Sequence, residues 1–328
     1  MNRSAKALII GLGDSPKSMA LLPEAKKNAV RMGKVLASNY DESPNFHCRT
    51  FLSGNSDEPL TTGFLMEQIE ELFSTEAHII LFYFSGHGYP TQIGGSLVTE
   101  DFEGNNPGVP FTYILSYAEH ALSERKANEV VIILDCCYSG DVGDVSLLGK
   151  DKALLPKGLT ILSSSGGNEL SFTRGDGNGT IFTYHLTNGL EGGAADLLGN
   201  ITIISLFNYV SRLLDAGWMQ TPYLKTYSSN MYSLRLADPK ILLEDLREII
   251  SLFPQKRPHP LDPSYEETSE EADAIHVEKF KKMQTYNRQG LVVPVNVFSM
   301  YDAAINSESC ELTTEGEYYW SLISRGKL

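Results

Sequence analysis

The sequence predicts an α/β protein in which a mostly parallel sheet flanked by helices is followed by a small second α/β module. Residues 78–85 and 130–134 are continuous apolar runs rich in β-branched and aromatic side chains. Such runs are the pattern of strands buried on both faces. Between them, residues 113–124 have helical composition, which supplies the β-α-β crossover that parallel pairing requires. Near residue 238 the alternation gives way to four prolines, Pro254, Pro258, Pro260 and Pro263. That density reads as an extended linker and sets two domains, 1–237 and 238–328.

In chain order, 23–39 reads as the first helix, 46–52 as a strand and 61–73 as the second helix. After the strand at 130–134 and a polar, glycine-containing loop at 141–157, residues 159–163 form a strand and 180–190 a helix. A helix at 201–216 and a final strand region at 223–236 complete the first domain. In the second, 240–253 reads as a connecting helix, and the acidic stretch 266–273 leads into a helix that runs through Asn287. A strand at 291–295 and a helix at 297–305 follow. In the tail, Thr314 and Glu317 have capping-box spacing, and Tyr319, Leu322 and Ile323 share one helical face.

Two apolar strands end in reactive side chains. Ser85-Gly86-His87-Gly88 follows the first, and Asp135-Cys136-Cys137-Tyr138-Ser139-Gly140 closes the second, with His87 50 residues before Cys137. Neighbouring strands lie ~4.8 Å apart, and open α/β sheets carry their sites at the carboxyl edge. An imidazole and a thiol therefore share one crevice if the strands pair. A thiol beside an imidazole is readily deprotonated, and the thiolate is a nucleophile. The amides of Gly88 and Cys137 are the candidate oxyanion donors. The competing reading is a satisfied loop histidine and a buried thiol.

These two motifs resemble the His and Cys motifs of the caspase-like cysteine peptidases, in particular the metacaspase and bacterial branch. The second motif there usually reads D-x-C-x-S-G, so alignment makes Cys137 the nucleophile and Cys136 the variable position. The 50-residue spacing also fits. Ala7-Leu8-Ile9-Ile10-Gly11 resembles the opening strand, and Ile161-Leu162-Ser163-Ser164-Ser165 with Glu169 the strand after the cysteine. Phe182-Thr183 opens a segment similar to a family helix, and Gln220-Thr221-Pro222 resembles the start of the last strand. The resemblance spans about residues 5–237. It implies a caspase-like fold, a Cys-His dyad, a backbone carbonyl that orients His87, and self-cleavage in 141–157, where Lys150, Lys152 and Lys157 lie, against their being ordinary loop lysines. By the same resemblance, an effector role in stress or antiphage responses is implied, as short bacterial members of the family often have.

Asp135 bears on specificity. A carboxylate two residues before the nucleophile, at the base of a partly desolvated pocket, attracts a cation and repels an anion. The expectation is cleavage after Arg, with Lys second. The alternative is that Asp135 caps the turn by local hydrogen bonds. Asp14, after the first strand, and Asp176 are candidates for a second acid in that pocket by position alone.

Other chemistries lack their residues. Gly11-Leu12-Gly13 begins like a dinucleotide fingerprint, but Pro16 stands in place of the third glycine, and neither a phosphate loop nor a G-x-S-x-G elbow occurs. Cys136 and Cys137 are adjacent and no zinc spacing is found, so the expected enzyme needs no metal or organic cofactor. By the same resemblance, Ca²⁺ activation attaches to the acidic loop Glu100-Asp101-Phe102-Glu103-Gly104-Asn105 with Asp141 and Asp144, against a plain solvated loop.

The chain has 328 residues, 42% of them apolar, with 27 basic and 41 acidic side chains and a net charge of −14. That balance disfavours nucleic acid and anionic membranes as partners. Four cysteines do not make a disulfide framework, and no apolar run approaches the ~18 residues of a membrane span. The reading is a cytoplasmic cysteine endopeptidase acting on protein or peptide substrates. The alternative is a catalytically silent scaffold of the same fold. The order of elements in 238–328 resembles a small winged-helix module, and its acidic excess favours a regulatory or recruiting protein partner over DNA.

Overall fold

The two apolar runs are strands, and they are neighbours. β1 (Ala5–Gly11), α1 (Pro23–Ala37), β2 (Phe46–Leu52), α2 (Thr62–Ser74) and β3 (Ile79–Ser85) open the chain. A small antiparallel sheet of β4 (Gly88–Thr91), β5 (Gly94–Leu97) and β6 (Val109–Pro110) precedes α3 (Phe111–Ser123). There follow β7 (Glu129–Asp135), β8 (Leu159–Ser163), α4 (Ile181–Asn188), a π turn, β9 (Asn200–Thr202), α5 (Ile203–Asp215), β10 (Tyr223–Tyr227) and β11 (Ser233–Leu236). The computed structural model describes residues 4–14, 19–91, 94–103, 105–136, 155–165, 177–215, 220–228 and 231–328. They divide into two units, Met1–Asp238 and Pro239–Leu328.

The main sheet has the order β10-β8-β7-β3-β1-β2. Its strands run parallel except for β10, which lies antiparallel to β8. Successive side chains of a strand face opposite ways, so each apolar strand feeds two cores. Ile9, Tyr83 and Ile133 pack with Met32 of α1, Phe182 of α4 and Leu206 of α5. Ile10, Phe82 and Ile132 pack with Ile69 of α2 and Ile114 of α3. Each such large side chain, fully buried, contributes roughly 1.5–3 kcal/mol. Gly11 owes its place to this packing: a Cβ there would lie 2.7 Å from Ala29 Cβ and 2.8 Å from the Ala25 carbonyl.

Several expectations need correction. The single strand region at 223–236 is two strands: β10 joins the main sheet, whereas β11 pairs with β9 in a separate ribbon. The strands β4 to β6 carry glycine and proline and no apolar run, so nothing in their sequence announces them.

In the second unit, the connecting helix breaks at Glu248 into α6 (Leu243–Arg247) and α7 (Ile249–Leu252). The proline run is not an extended linker. It folds as short 3₁₀ turns around β12 (His259–Pro260), with Leu261 and Tyr265 buried. Trp320 Nε1 donates to the Phe253 carbonyl at 2.9 Å, which ties the start of that run to the last helix. After α8 (Ala274–Arg288), β13 (Val292–Pro294) and α9 (Met300–Ile305) comes β14 (Ser309–Leu312), at the centre of a three-stranded antiparallel sheet ordered β12-β14-β13. The cap of α10 (Thr314–Ser324) is Thr313 rather than Thr314, because Thr313 Oγ1 accepts from Gly316 N at 3.1 Å.

Glu129, the first residue of β7, is fully buried. Its Oε2 accepts from Tyr232 N at 3.2 Å, and its Oε1 has no hydrogen-bond partner among the described residues. Burial pushes its carboxyl up to about 7, against a small opposing pull from the Tyr232 N–H. A carboxyl raised in the folded state gives its full stability below the unfolded value near 4.5 and loses it as pH rises through about 7. Denaturant melts at pH 5 and pH 8 should show Glu129→Gln gaining about 2 kcal/mol over wild type across that interval. A parallel pH dependence in the two proteins would place the titrating group elsewhere.

Candidate active site

β3 and β7 pair in parallel with Ser85 opposite Asp135. Both strands therefore stop at the same level, and Gly86 N donates to the Asp135 carbonyl at 3.3 Å, joining the two turns. His87 follows directly. Its Nε2 lies 2.7 Å from the Ala20 carbonyl. A carbonyl only accepts, so Nε2 carries the proton and Nδ1 holds the lone pair of the neutral ring. Ala20 is the residue whose carbonyl orients His87, a partner that no sequence signal identified.

Gly88 begins β4, opposite Leu97 of β5. Val98 N donates to the His87 carbonyl at 3.0 Å, so the neighbouring pair His87 and Val98 is the hydrogen-bonded one. Antiparallel pairs alternate, and Gly88 accordingly stands in a non-hydrogen-bonded pair. Its N–H points away from β5, on the outer side of an edge strand. An oxyanion donor needs that freedom.

Cys137 and Asp176 lie outside the described residues, as do Asp141 and Asp144. Cys136 is described: it is buried among Leu134, Ile132 and the side chains of α2 and α3. Its sulfur is therefore turned into the core.

Asp135 is buried too, but on the opposite layer. Its Oδ2 accepts from Thr183 Oγ1 at 2.6 Å, from Asn28 Nδ2 at 3.2 Å and, closely, from Thr180 Oγ1. Its Oδ1 has no hydrogen-bond partner among the described residues. Burial pushes the carboxyl above its ordinary range, while the hydroxyls of Thr180, Thr183 and Ser164 pull the other way. Among the described residues, the bonds of this carboxylate reach α1 and the start of α4. Tyr83 Oη lies 2.7 Å from Thr183 Oγ1, and the burial of that phenol, with Asp135 next in effect, raises it as well.

Asn28 is a residue that sequence reasoning missed. Its amide also donates to Ser85 Oγ and Thr180 Oγ1, both at 3.0 Å, and its Oδ1 accepts from Thr180 N at 3.2 Å. A signal did exist: Asn28 is a polar residue on the stripe Ala25, Asn28, Ala29, Met32 that α1 buries.

Asp14 is not brought to Asp135. Its Oδ2 takes Lys26 Nζ at 2.6 Å and Ser53 Oγ at 3.0 Å, toward β2 at the far edge of the sheet. The Lys26 ammonium holds its carboxyl below the usual range, and a charge so matched is a poor second acid for the pocket. In the acidic loop, Glu100 accepts from Gly54 N and Leu60 N, and Asp101 from Thr62 and Asn106. Among the described residues no group of three or more His, Cys, Asp or Glu side chains could hold a metal ion, and no helix is long and apolar enough to cross a membrane.

The family model described as a caspase domain matches residues 4–232. Among solved structures, caspase-1 from Spodoptera frugiperda is similar, with a TM-score of 0.51 and 15% sequence identity over 72% of this chain and 91% of that one. No curated protein matches.

The burial of Cys136 has a direct check. Brief treatment of the native protein with iodoacetamide, followed by peptide mass spectrometry, should leave Cys136 unmodified, and the same treatment in denaturant should label it fully. Rapid native labelling of Cys136 would contradict its place in the core.

Proposed function

The chain belongs to the caspase-domain family of cysteine peptidases, and we propose that it is an endopeptidase that cleaves after basic residues, arginine first and lysine second, through His87 and Cys137. The observation that carries this reading is Asp135. It is a buried carboxyl with one oxygen that has no hydrogen-bond partner among the described residues, two residues before Cys137 and level with the strand that delivers His87. A cation entering beside it gains a charge-assisted bond that an acidic or apolar side chain does not.

In the proposed reaction the Cys137 thiolate attacks the scissile carbonyl, forming a sulfur–carbon bond and a tetrahedral oxyanion. The N–H groups of Gly88 and Cys137 stabilise that oxyanion. His87, as imidazolium, gives the proton on Nδ1 to the leaving nitrogen as the carbon–nitrogen bond breaks, while Ala20 keeps hold of Nε2–H. Water then adds to the acyl-enzyme with His87 as base, releasing the carboxylic acid and restoring the thiol. The carbonyl of Ala20 supports the imidazolium without a third carboxylate. Residues 239–328, acidic in excess, are proposed to recruit or regulate through a protein partner.

A fluorogenic arginyl peptide tests the reading. Wild type should turn it over; Cys137→Ala and His87→Ala should each lose about 10³-fold or more in kcat/KM. Asp135→Ala should lose about 10- to 100-fold on arginyl and lysyl peptides. No turnover by wild type under any reducing condition, or an equal rate from Cys137→Ala, would sink the enzyme reading. An undiminished arginyl preference in Asp135→Ala would remove Asp135 from the pocket.

A further inference from the structure

The pocket carboxylate is not symmetrically bound. Three donors converge on Oδ2 of Asp135, from Asn28, Thr180 and Thr183. None reaches Oδ1 among the described residues, although that oxygen is equally removed from water. A buried acceptor left without a donor destabilises the fold, and folded proteins rarely keep one without use. No cationic side chain forms an ion pair with Asp135 among the described residues. Its neighbours among the described residues are neutral: Asn28 on α1, Tyr83 and Ser85 on β3, Thr180 and Thr183 at the start of α4, Ser164 after β8, and the Cys136 thiol on its own strand.

We propose that Asn28 is a positioning residue for substrate selection: by holding Oδ2 it fixes the carboxylate plane and leaves Oδ1 as the single acceptor for the incoming basic side chain. This rests on the reading of Asp135 as the base of the specificity pocket. Asn28 is suited to the task because its own position is over-determined. Its two amide hydrogens are shared among Ser85, Thr180 and Asp135, and its carbonyl oxygen takes the Thr180 amide. Helix α1 is thereby tied to the ends of β3 and β7 and to the first turn of α4.

Two consequences follow. First, a guanidinium meets one oxygen rather than two, so the paired fork that usually favours arginine at a carboxylate is not available. The arginine-to-lysine ratio in kcat/KM should stay modest, about tenfold or less. Second, an empty pocket in which the carboxyl is desolvated and faces no cation favours the protonated acid. A cation then binds as that proton leaves for solvent, and affinity for basic groups rises with pH until Asp135 is ionised in the free enzyme. The Asn28 amide stabilises the ionised form; its loss should move that rise to higher pH.

The experiment compares wild type, Asn28→Ala and the isosteric Thr183→Val, which removes another Oδ2 donor, using arginyl peptide turnover and inhibition by benzamidine from pH 5 to 9. For Asn28→Ala the arginyl KM and the benzamidine inhibition constant should rise about tenfold at pH 7, by more than kcat falls, and the pH at which inhibition reaches half its limit should move upward. Thr183→Val should shift the same way, which keeps the test open if Asn28→Ala fails to fold. An unchanged inhibition constant and unmoved pH midpoint in a folded variant would overturn the positioning role. If wild type fails to cleave arginyl peptides at all, the proposed function falls instead, and the two failures are told apart by that control.

Discussion

The in-register pairing of β3 with β7 is the constraint on which the rest of the molecule depends. Both strands are apolar on both faces, so they are stable only with a core above and below and a strand on either side. That requirement puts them at the centre of the sheet, between β1 and β8. Because Ser85 lies opposite Asp135, the loop bearing His87 and the turn that continues into Cys136 leave the sheet at one level. A slip by one residue would exchange the two layers along an entire strand, and with it every side chain of the crevice.

The two-residue period of the strands then sorts the chemistry. Tyr83 and Ser85 on β3, and Ile133 and Asp135 on β7, face the layer of α1 and α4. Phe84, Leu134 and Cys136 face α2 and α3. The carboxyl therefore meets Asn28, Thr180 and Thr183, while the thiol of Cys136 sinks into hydrocarbon. Adjacent residues acquire opposite environments by geometry alone.

β7 also carries a second buried carboxyl, Glu129, at its other end and on the same face. The two differ in their partners among the described residues: side-chain donors from Asn28, Thr180 and Thr183 meet Oδ2 of Asp135, and the backbone N–H of Tyr232 meets Glu129. Burial raises both. At Asp135 the donors come from two helices, so the energy that holds the carboxylate also fixes α1 against α4. Fold and candidate site share the same bonds there.

Much of this was readable from consecutive residues. Apolar runs and their period announce β3, β7 and β8, and with them the parallel sheet and its carboxyl-edge crevice. The sequence also placed His87 just past β3 and Asp135 at the end of β7, whereas Asn28, a polar residue on a buried helix stripe, went unread. What the chain order did not reveal is which distant groups meet: Ala20 with His87 across 67 residues, Asn28 with Asp135 across 107, Asp14 with Lys26 instead of the pocket. Nor did it tell β10 from β11, both short and rich in polar residues, whose partners are chosen by what the neighbouring edge leaves unpaired. The physical reason is common to all of them. Steric preference and hydrophobic period act between near neighbours and are written locally, whereas a hydrogen bond between remote segments forms only once loop closure and core packing have brought its ends together.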